Sequence, residues 1–294
     1  MRLYREFTTQ DEIDDQYQIE RSVGDPKPYF DFFVGESAST REALDCMLDV
    51  PFGPTVEETL DIFPAADPKA PIVVFVHGGY WRRMSSKEFS LVARGLVKNG
   101  ITAVVTNYAL CPKVTIPEIT RQSRAAVAWL KTTQTPFNGD RDRIYVSGHS
   151  AGGHQVGRLV ATDWETDYGF ARSPIRGGLA ISALFDLRPL RYSWLQPMLQ
   201  LNGDIVRTES PQLQPLPPAA PPLLACVGGD ESSEFHRQSR DYIESWSAAG
   251  LTGKYVSIPN KNHFNVIDGF ADPDSAMCQL LLDFIAQCEA ESGV

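Results

Sequence analysis

The chain has 294 residues, 43% of them hydrophobic, with 27 Lys and Arg against 37 Asp and Glu for a formal net charge of −10. That length can bury a sizeable α/β core, and the acidic balance argues against nucleic acid or an anionic membrane surface as a partner. Five scattered cysteines (Cys46, Cys111, Cys226, Cys278, Cys288) form no C-x-x-C pair and read as thiols of a reducing compartment. No apolar run after Met1 resembles a signal peptide, and no segment reaches the ~18 apolar residues of a membrane span. The expectation is a cytoplasmic location.

Residues 1–45 read as an N-terminal arm. Six acids (Glu6, Asp11, Glu12, Asp14, Asp15, Glu20) face only Arg2 and Arg5 in the first 20 residues, which suggests a solvated arm or helix. Prolines follow at Pro26 and Pro28, then Tyr29, Phe30, Phe32 and Phe33 as core or interface filling, then a short helix over Ser39 to Leu44. Cys46 to Val50 and Thr59 to Phe63 look like paired strands around the turn Pro51-Phe52-Gly53-Pro54. From Pro71 the pattern becomes β/α alternation: strand Ile72 to Val76, helix Ser86 to Asn99, strand Ile101 to Thr106, helix Ile119 to Lys131 and strand Ile144 to Val146. A strand from Gly177 to Phe185 comes next. Residues 187–222 then break the rhythm with a cluster of prolines and read as a lid-like insertion over the strand ends. The last elements are a strand at Leu223 to Val227, a helix at Ser232 to Ala249, a strand at Lys254 to Ile258 and a helix at Asp274 to Glu289. Together these predict one α/β domain over 1–294, a mostly parallel doubly wound sheet whose site lies beyond the carboxyl ends of the strands.

Chemistry concentrates at those ends. In Gly148-His149-Ser150-Ala151-Gly152 a strand turns sharply into a helix, a geometry that exposes a serine as a nucleophile and aims the Ala151 N–H at a developing oxyanion. His77-Gly78-Gly79 follows the first parallel strand, where glycines let backbone donors approach a tetrahedral oxygen, so Gly78 and Gly79 complete the expected oxyanion hole. Serine needs a base, and His263, in the loop after the last strand, is the histidine placed to serve. The acid should precede it in the chain. Asp230, at the end of Leu223-Leu224-Ala225-Cys226-Val227-Gly228-Gly229-Asp230, is the choice, with Glu231, Asp204 and Asp186 as rivals and a helix-capping role as the bland alternative. Tyr80 and Trp81 follow the oxyanion donors, and Tyr192 and Trp194 lie in the insertion, so an aromatic substrate pocket with a narrow acyl end is expected.

These motifs resemble the α/β-hydrolase family, in the branch that carries a His-Gly-Gly loop. His77-Gly78-Gly79, Asn107-Tyr108-Ala109-Leu110-Cys111-Pro112 and Gly148-His149-Ser150-Ala151-Gly152-Gly153 are similar in order and spacing to hormone-sensitive-lipase-like esterases. His149 and Tyr80-Trp81 depart from that pattern and look more like the kynurenine formamidases (arylformamidases). The resemblance spans about residues 60–290 and implies a serine hydrolase that forms an acyl-enzyme with an aryl formamide such as N-formylkynurenine. A short-chain carboxylesterase would use the same machinery, and a non-catalytic binding protein is the alternative from another class. No cofactor and no metal are expected, because no H-E-x-x-H or carboxylate–histidine spacing occurs. The partner is a small acyl compound, with no nucleic acid and no membrane, and a homo-oligomer is left open.

Overall fold

The computed structural model describes residues 2–134 and 137–292. Eight strands, β1 (Met47–Pro51), β2 (Thr59–Phe63), β3 (Ile72–Val76), β4 (Thr102–Thr106), β5 (Ile144–His149), β6 (Ile175–Ile181), β7 (Leu223–Gly228) and β8 (Gly253–Ile258), form one sheet in the order β1-β2-β4-β3-β5-β6-β7-β8. β2 pairs antiparallel with both β1 and β4, and every pair from β3 onward is parallel. This is the α/β-hydrolase architecture. Every residue of β3, β4 and β5 is buried, as the continuous apolar runs imply for strands covered on both faces, whereas edge strand β8 is only half-buried. Each fully buried Val or Ile in such a strand contributes about 1.5–3 kcal/mol.

The strand order turns back at β3, which has β4 on one side and β5 on the other. In open α/β sheets the crevice beyond such a point is where ligands bind. Val76 stands opposite Gly148 in the register. The loops that begin at His77 and Ser150 therefore leave the sheet side by side.

Two expectations change here. The first segment is not a solvated arm. Thr9 and Glu12 close a capping box that starts the helix Gln10–Tyr17, in which Asp11, Glu12 and Asp15 are exposed, Asp14 is buried and accepts from Trp194 N–H at 2.8 Å, and Ile13 and Tyr17, one turn apart, are fully buried. Tyr17 Oη donates to Glu234 at 2.8 Å and Tyr4 Oη to Asp186 at 2.7 Å, which fastens the segment to the body of the protein. The helix expected at Ser39 to Leu44 begins far earlier and runs Lys27–Ala43, because Pro28 lies in the first turn, where a missing N–H costs nothing.

The insertion 187–222 is likewise not a lid over the serine. Leu190, Leu195, Leu199 and Leu201 are buried in the core, and Gln212 N–H donates to Phe185 O at 2.9 Å, so the segment packs down as a side wall. Among the described residues no helix is long and apolar enough to cross a membrane.

Candidate active site

Ser150 sits at φ 57° and ψ −115°, a left-handed conformation that a serine adopts only where surrounding packing enforces it. Enforcement comes from crowding at the turn. A Cβ on Gly152 would stand 1.9 Å from Val76 O, and one on Gly148 would stand 2.5 Å from Gly152 O, so only glycine fits on either side. The helix Ala151–Val160 starts immediately after the serine, and Ala151 N–H is one of its first-turn donors without an intrahelical acceptor.

The loop after β3 supplies the other donors, and its own hydrogen bonds set their direction. Tyr108 Oη donates to His77 O at 2.9 Å, and His77 Nδ1 donates to Gly78 O at 2.7 Å. In a trans peptide the N–H points away from the carbonyl, so pinning these two oxygens turns the Gly78 and Gly79 N–H groups the opposite way. A Cβ on Gly78 would lie 3.4 Å from Ser150 Cβ, which puts that glycine against the serine. His77 also stacks on Tyr108, with ring centroids 4.0 Å apart and planes 4° apart. Burial lowers its pKa to about 4, which keeps the ring neutral. Sequence reasoning gave His77 no role of its own.

His263 lines the same cavity as Ser150, as does His149. His263 is buried, and its Nε2 has no hydrogen-bond partner among the described residues. Its Nδ1 lies 2.6 Å from Glu231 Oε2. The carboxylate paired with His263 is therefore Glu231, and not Asp230 as the sequence reading expected. Asp230 is exposed and uses its N–H to bond Lys261 O at 3.0 Å, because the chain after β7 keeps pairing with β8 and its loop through Gly229 and Asp230. The first side chain free to turn inward is the next one. Gly228 N–H donates to Glu231 Oε1 at 2.7 Å, and Ser182 Oγ donates to the same oxygen, so the carboxylate is held at both ends. The rivals stand elsewhere. Asp186 is buried against Arg188 and Tyr4, and the Asp204 side chain is 89% exposed.

His149, the residue before the serine, braces the base. Its Nε2 lies 2.8 Å from His263 O, so it carries the proton and donates, and the two rings are 4.7 Å apart. Burial first and His263 second push its pKa well below the usual histidine value. Neutral His149 thus places no competing charge beside the base.

The cavity between Ser150 and His263 measures about 20 Å³, room for about one water. Gly79, Tyr80 and Met84 form one side, and Ile19, Phe30 and Phe33 of the N-terminal segment form the other. Tyr80 lines the cavity, with its Oη fixed by donation to Tyr17 O at 2.6 Å. Trp81 does not. At φ 57° its side chain turns into the core and packs edge-on against His154, with ring centroids 5.1 Å apart. Tyr192 is a surface residue, and Trp194 reaches the site only through its ring contact with Tyr80 at 6.0 Å. The aromatic wall that the sequence sought in the insertion is built from Phe30 and Phe33 instead.

Just beyond the His263 loop, Asp268 has an Oδ1 with no partner among the described residues, and burial raises its pKa from 3.8 to about 6, with Lys261 opposing. The fold therefore prefers the protonated form, and the cost of ionising it appears as pH rises from about 4 to about 6. Asp268→Asn should stabilise the protein above pH 6 by about 1 kcal/mol, allowing for the group's partial exposure, and should be neutral below pH 4. Thermal melts of both proteins at pH 4 and pH 8 check the sign. Among the described residues no three His, Cys, Asp or Glu side chains are grouped as metal ligands.

Comparison with known proteins adds to this geometry. Residues 60–169 match the family model BD-FAE. The chain is 30% identical to kynurenine formamidase of Salmo salar and 28% identical to that of Danio rerio, with 84% of each chain covered in both cases. A solved structure from Silicibacter sp. TM1040, named provisionally as a thioesterase, is 30% identical and superposes with a TM-score of 0.80 over 92% of this chain and 99% of its own. More distant matches include esterases.

Proposed function

The chain belongs to the α/β-hydrolase family that includes the kynurenine formamidases, and from that premise we propose that it is a serine hydrolase that removes a small acyl group, most specifically formyl, from an aromatic amine. The observation that supports this reading is a narrow cavity lined by Ser150, His263, Gly79 and aromatic rings, with Glu231 paired to His263 Nδ1 behind it and Gly78 packed against the serine. Ser150 Oγ attacks the formyl carbon as His263 Nε2 takes its proton. The Nδ1–H of His263 is held by Glu231, and the carbonyl electrons move onto an oxygen that the three amides stabilise. Collapse of this intermediate breaks the C–N bond. His263 gives its proton to the departing arylamine, leaving a formyl ester on Ser150. Water, activated by His263, then attacks the ester, releases formate and restores the serine.

A cavity of about 20 Å³ favours small acyl groups. The kcat/KM for N-formylkynurenine should exceed that for long-chain nitrophenyl esters by at least about 100-fold, since each missing or unplaced methylene changes transition-state binding by about 1–3 kcal/mol. Steady-state kinetics on that panel, with aryl acetates included, decides the matter. Preference for the long chains rejects the reading, whereas aryl-ester cleavage with no formamide turnover supports the short-chain carboxylesterase reading instead.

A further inference from the structure

We propose that Arg83 and Glu20 together receive the charged head of the substrate, an α-amino acid zwitterion carried on the aromatic amine, with Arg83 taking the carboxylate and Glu20 the ammonium. This rests on the formamidase reading and extends it to the part of the molecule remote from the scissile bond. Apart from Ser150 and its two histidines, the cavity is lined by glycine and by apolar or aromatic side chains, with one exception: Arg83 is the single permanently charged residue on its wall among the described residues. A guanidinium beside a reaction that creates negative charge on one small oxygen, yet outside the amide cradle for that oxygen, calls for a second anionic group.

The placement of Arg83 suits that task. Arg82 and Arg83 N–H groups both donate to Gly79 O, at 3.1 and 3.2 Å, in a turn that ties Arg83 to the oxyanion glycine. The approach is tight, since a Cβ on Gly79 would lie 2.2 Å from Arg83 O and 3.3 Å from Arg83 Cγ. Distance between head receptor and acyl site is thereby fixed in one loop. The guanidinium lies 5.3 Å from the Phe30 ring centroid, over a face that keeps it planar without consuming a donor. One amino nitrogen pairs with Glu20, while Nε is buried with no partner among the described residues, so the fork retains donors for a bidentate carboxylate.

Glu20 completes the receptor as the direct ion-pair partner of Arg83. It follows Ile19, which lines the cavity, and its side chain is 28% exposed against 29% for Arg83. Both charges are thus partly exposed, so a zwitterion bound there keeps part of its water while the small formyl end lies in the cavity against Ser150. Neighbouring Arg82 cannot substitute, because its guanidinium is turned away over Trp194, 4.7 Å from the ring centroid.

The competing role is a strap, in which the ion pair only fastens the N-terminal segment. Kinetics on N-formylkynurenine, its des-amino and des-carboxy analogues and formanilide separate the two. Wild type should favour N-formylkynurenine over formanilide by about 10- to 100-fold in kcat/KM, chiefly through KM, with each half-head analogue losing part of that margin. In Arg83→Met the margin should fall to that of the des-carboxy analogue, in Glu20→Gln to that of the des-amino analogue, and Arg83→Lys should restore only part of it. Equal losses on all four compounds in the variants make the pair a strap and overturn the proposal. So does a wild type that cleaves formanilide as well as N-formylkynurenine, a result that leaves the formamidase reading standing and requires no variant to fold. A wild type that cleaves aryl esters but none of the four formamides overturns both.

Discussion

Glu231→Ala is expected to lower kcat by about ten-thousand-fold, while Asp230→Ala, one residue away, should stay within about twofold of wild type. The difference follows from where the two carboxylates go. Glu231 holds His263 Nδ1 at 2.6 Å, fixing the tautomer that leaves Nε2 free to accept the serine proton, and it offsets the charge that His263 gains. Asp230 points to solvent and contributes only backbone to the ladder. Glu231→Gln is the sharper variant, because it keeps the volume and the bonds from Gly228 and Ser182 within reach while removing the charge. Measured kcat for all three, with folding verified by circular dichroism, settles the assignment. A crippled Asp230→Ala beside an active Glu231→Ala would return the role to Asp230.

Ser150→Ala should lower kcat on the order of a million-fold, the loss seen when a triad nucleophile is removed, and leave the residual rate to the oxyanion donors and binding. Alanine changes only the hydroxyl, and no side-chain bond of Ser150 supports the turn. The packing of Gly148 and Gly152 against the Val76 strand end, which forces the backbone into its left-handed conformation, remains. A fluorophosphonate should label wild type at Ser150 alone and leave Ser150→Ala unlabelled, as read by mass spectrometry. Turnover surviving in the variant would mean that another group attacks the acyl carbon.

The parts of this site that the sequence made legible are those where sterics leave one choice. Glycines two residues either side of a serine, between a buried strand and a helix, admit little besides the turn that occurs here, and the apolar runs of β3 to β5 order the centre of the sheet. The identity of the acid was not legible, because it depends on how far hydrogen bonding runs past Gly228. Gly229 donates to Ile258 O at 2.7 Å and Asp230 to Lys261 O at 3.0 Å, which shifts the inward position by one residue without any trace in composition. The inward turn of Trp81 is similar, set by a positive φ that a Tyr-Trp pair does not advertise. At the N-terminus a local signal did exist. Thr9 and Glu12 have capping-box spacing, and Ile13 and Tyr17 share a helix face, but the density of acids suggested a solvated segment, whereas Asp14 is buried with Ile13 and Tyr17 against the body of the protein.

The wall formed by Ile19, Phe30 and Phe33 separates two kinds of inheritance within one chain. The proposed bond-breaking parts are encoded from the end of β3 to His263, and at Val76, Gly148 and Gly152 strand register and close glycine packing leave the backbone little freedom. The three residues of this wall are encoded before β1, on a segment fastened to the body by bonds such as those of Tyr17 and Tyr4. Substitutions there can change the compounds admitted without disturbing the strand ends, so the two functions can drift at different rates. Residues 60–169, the stretch that matches the family model, contain the serine but none of that wall. A match over that stretch therefore says nothing about the residues that stand at Ile19, Phe30 and Phe33.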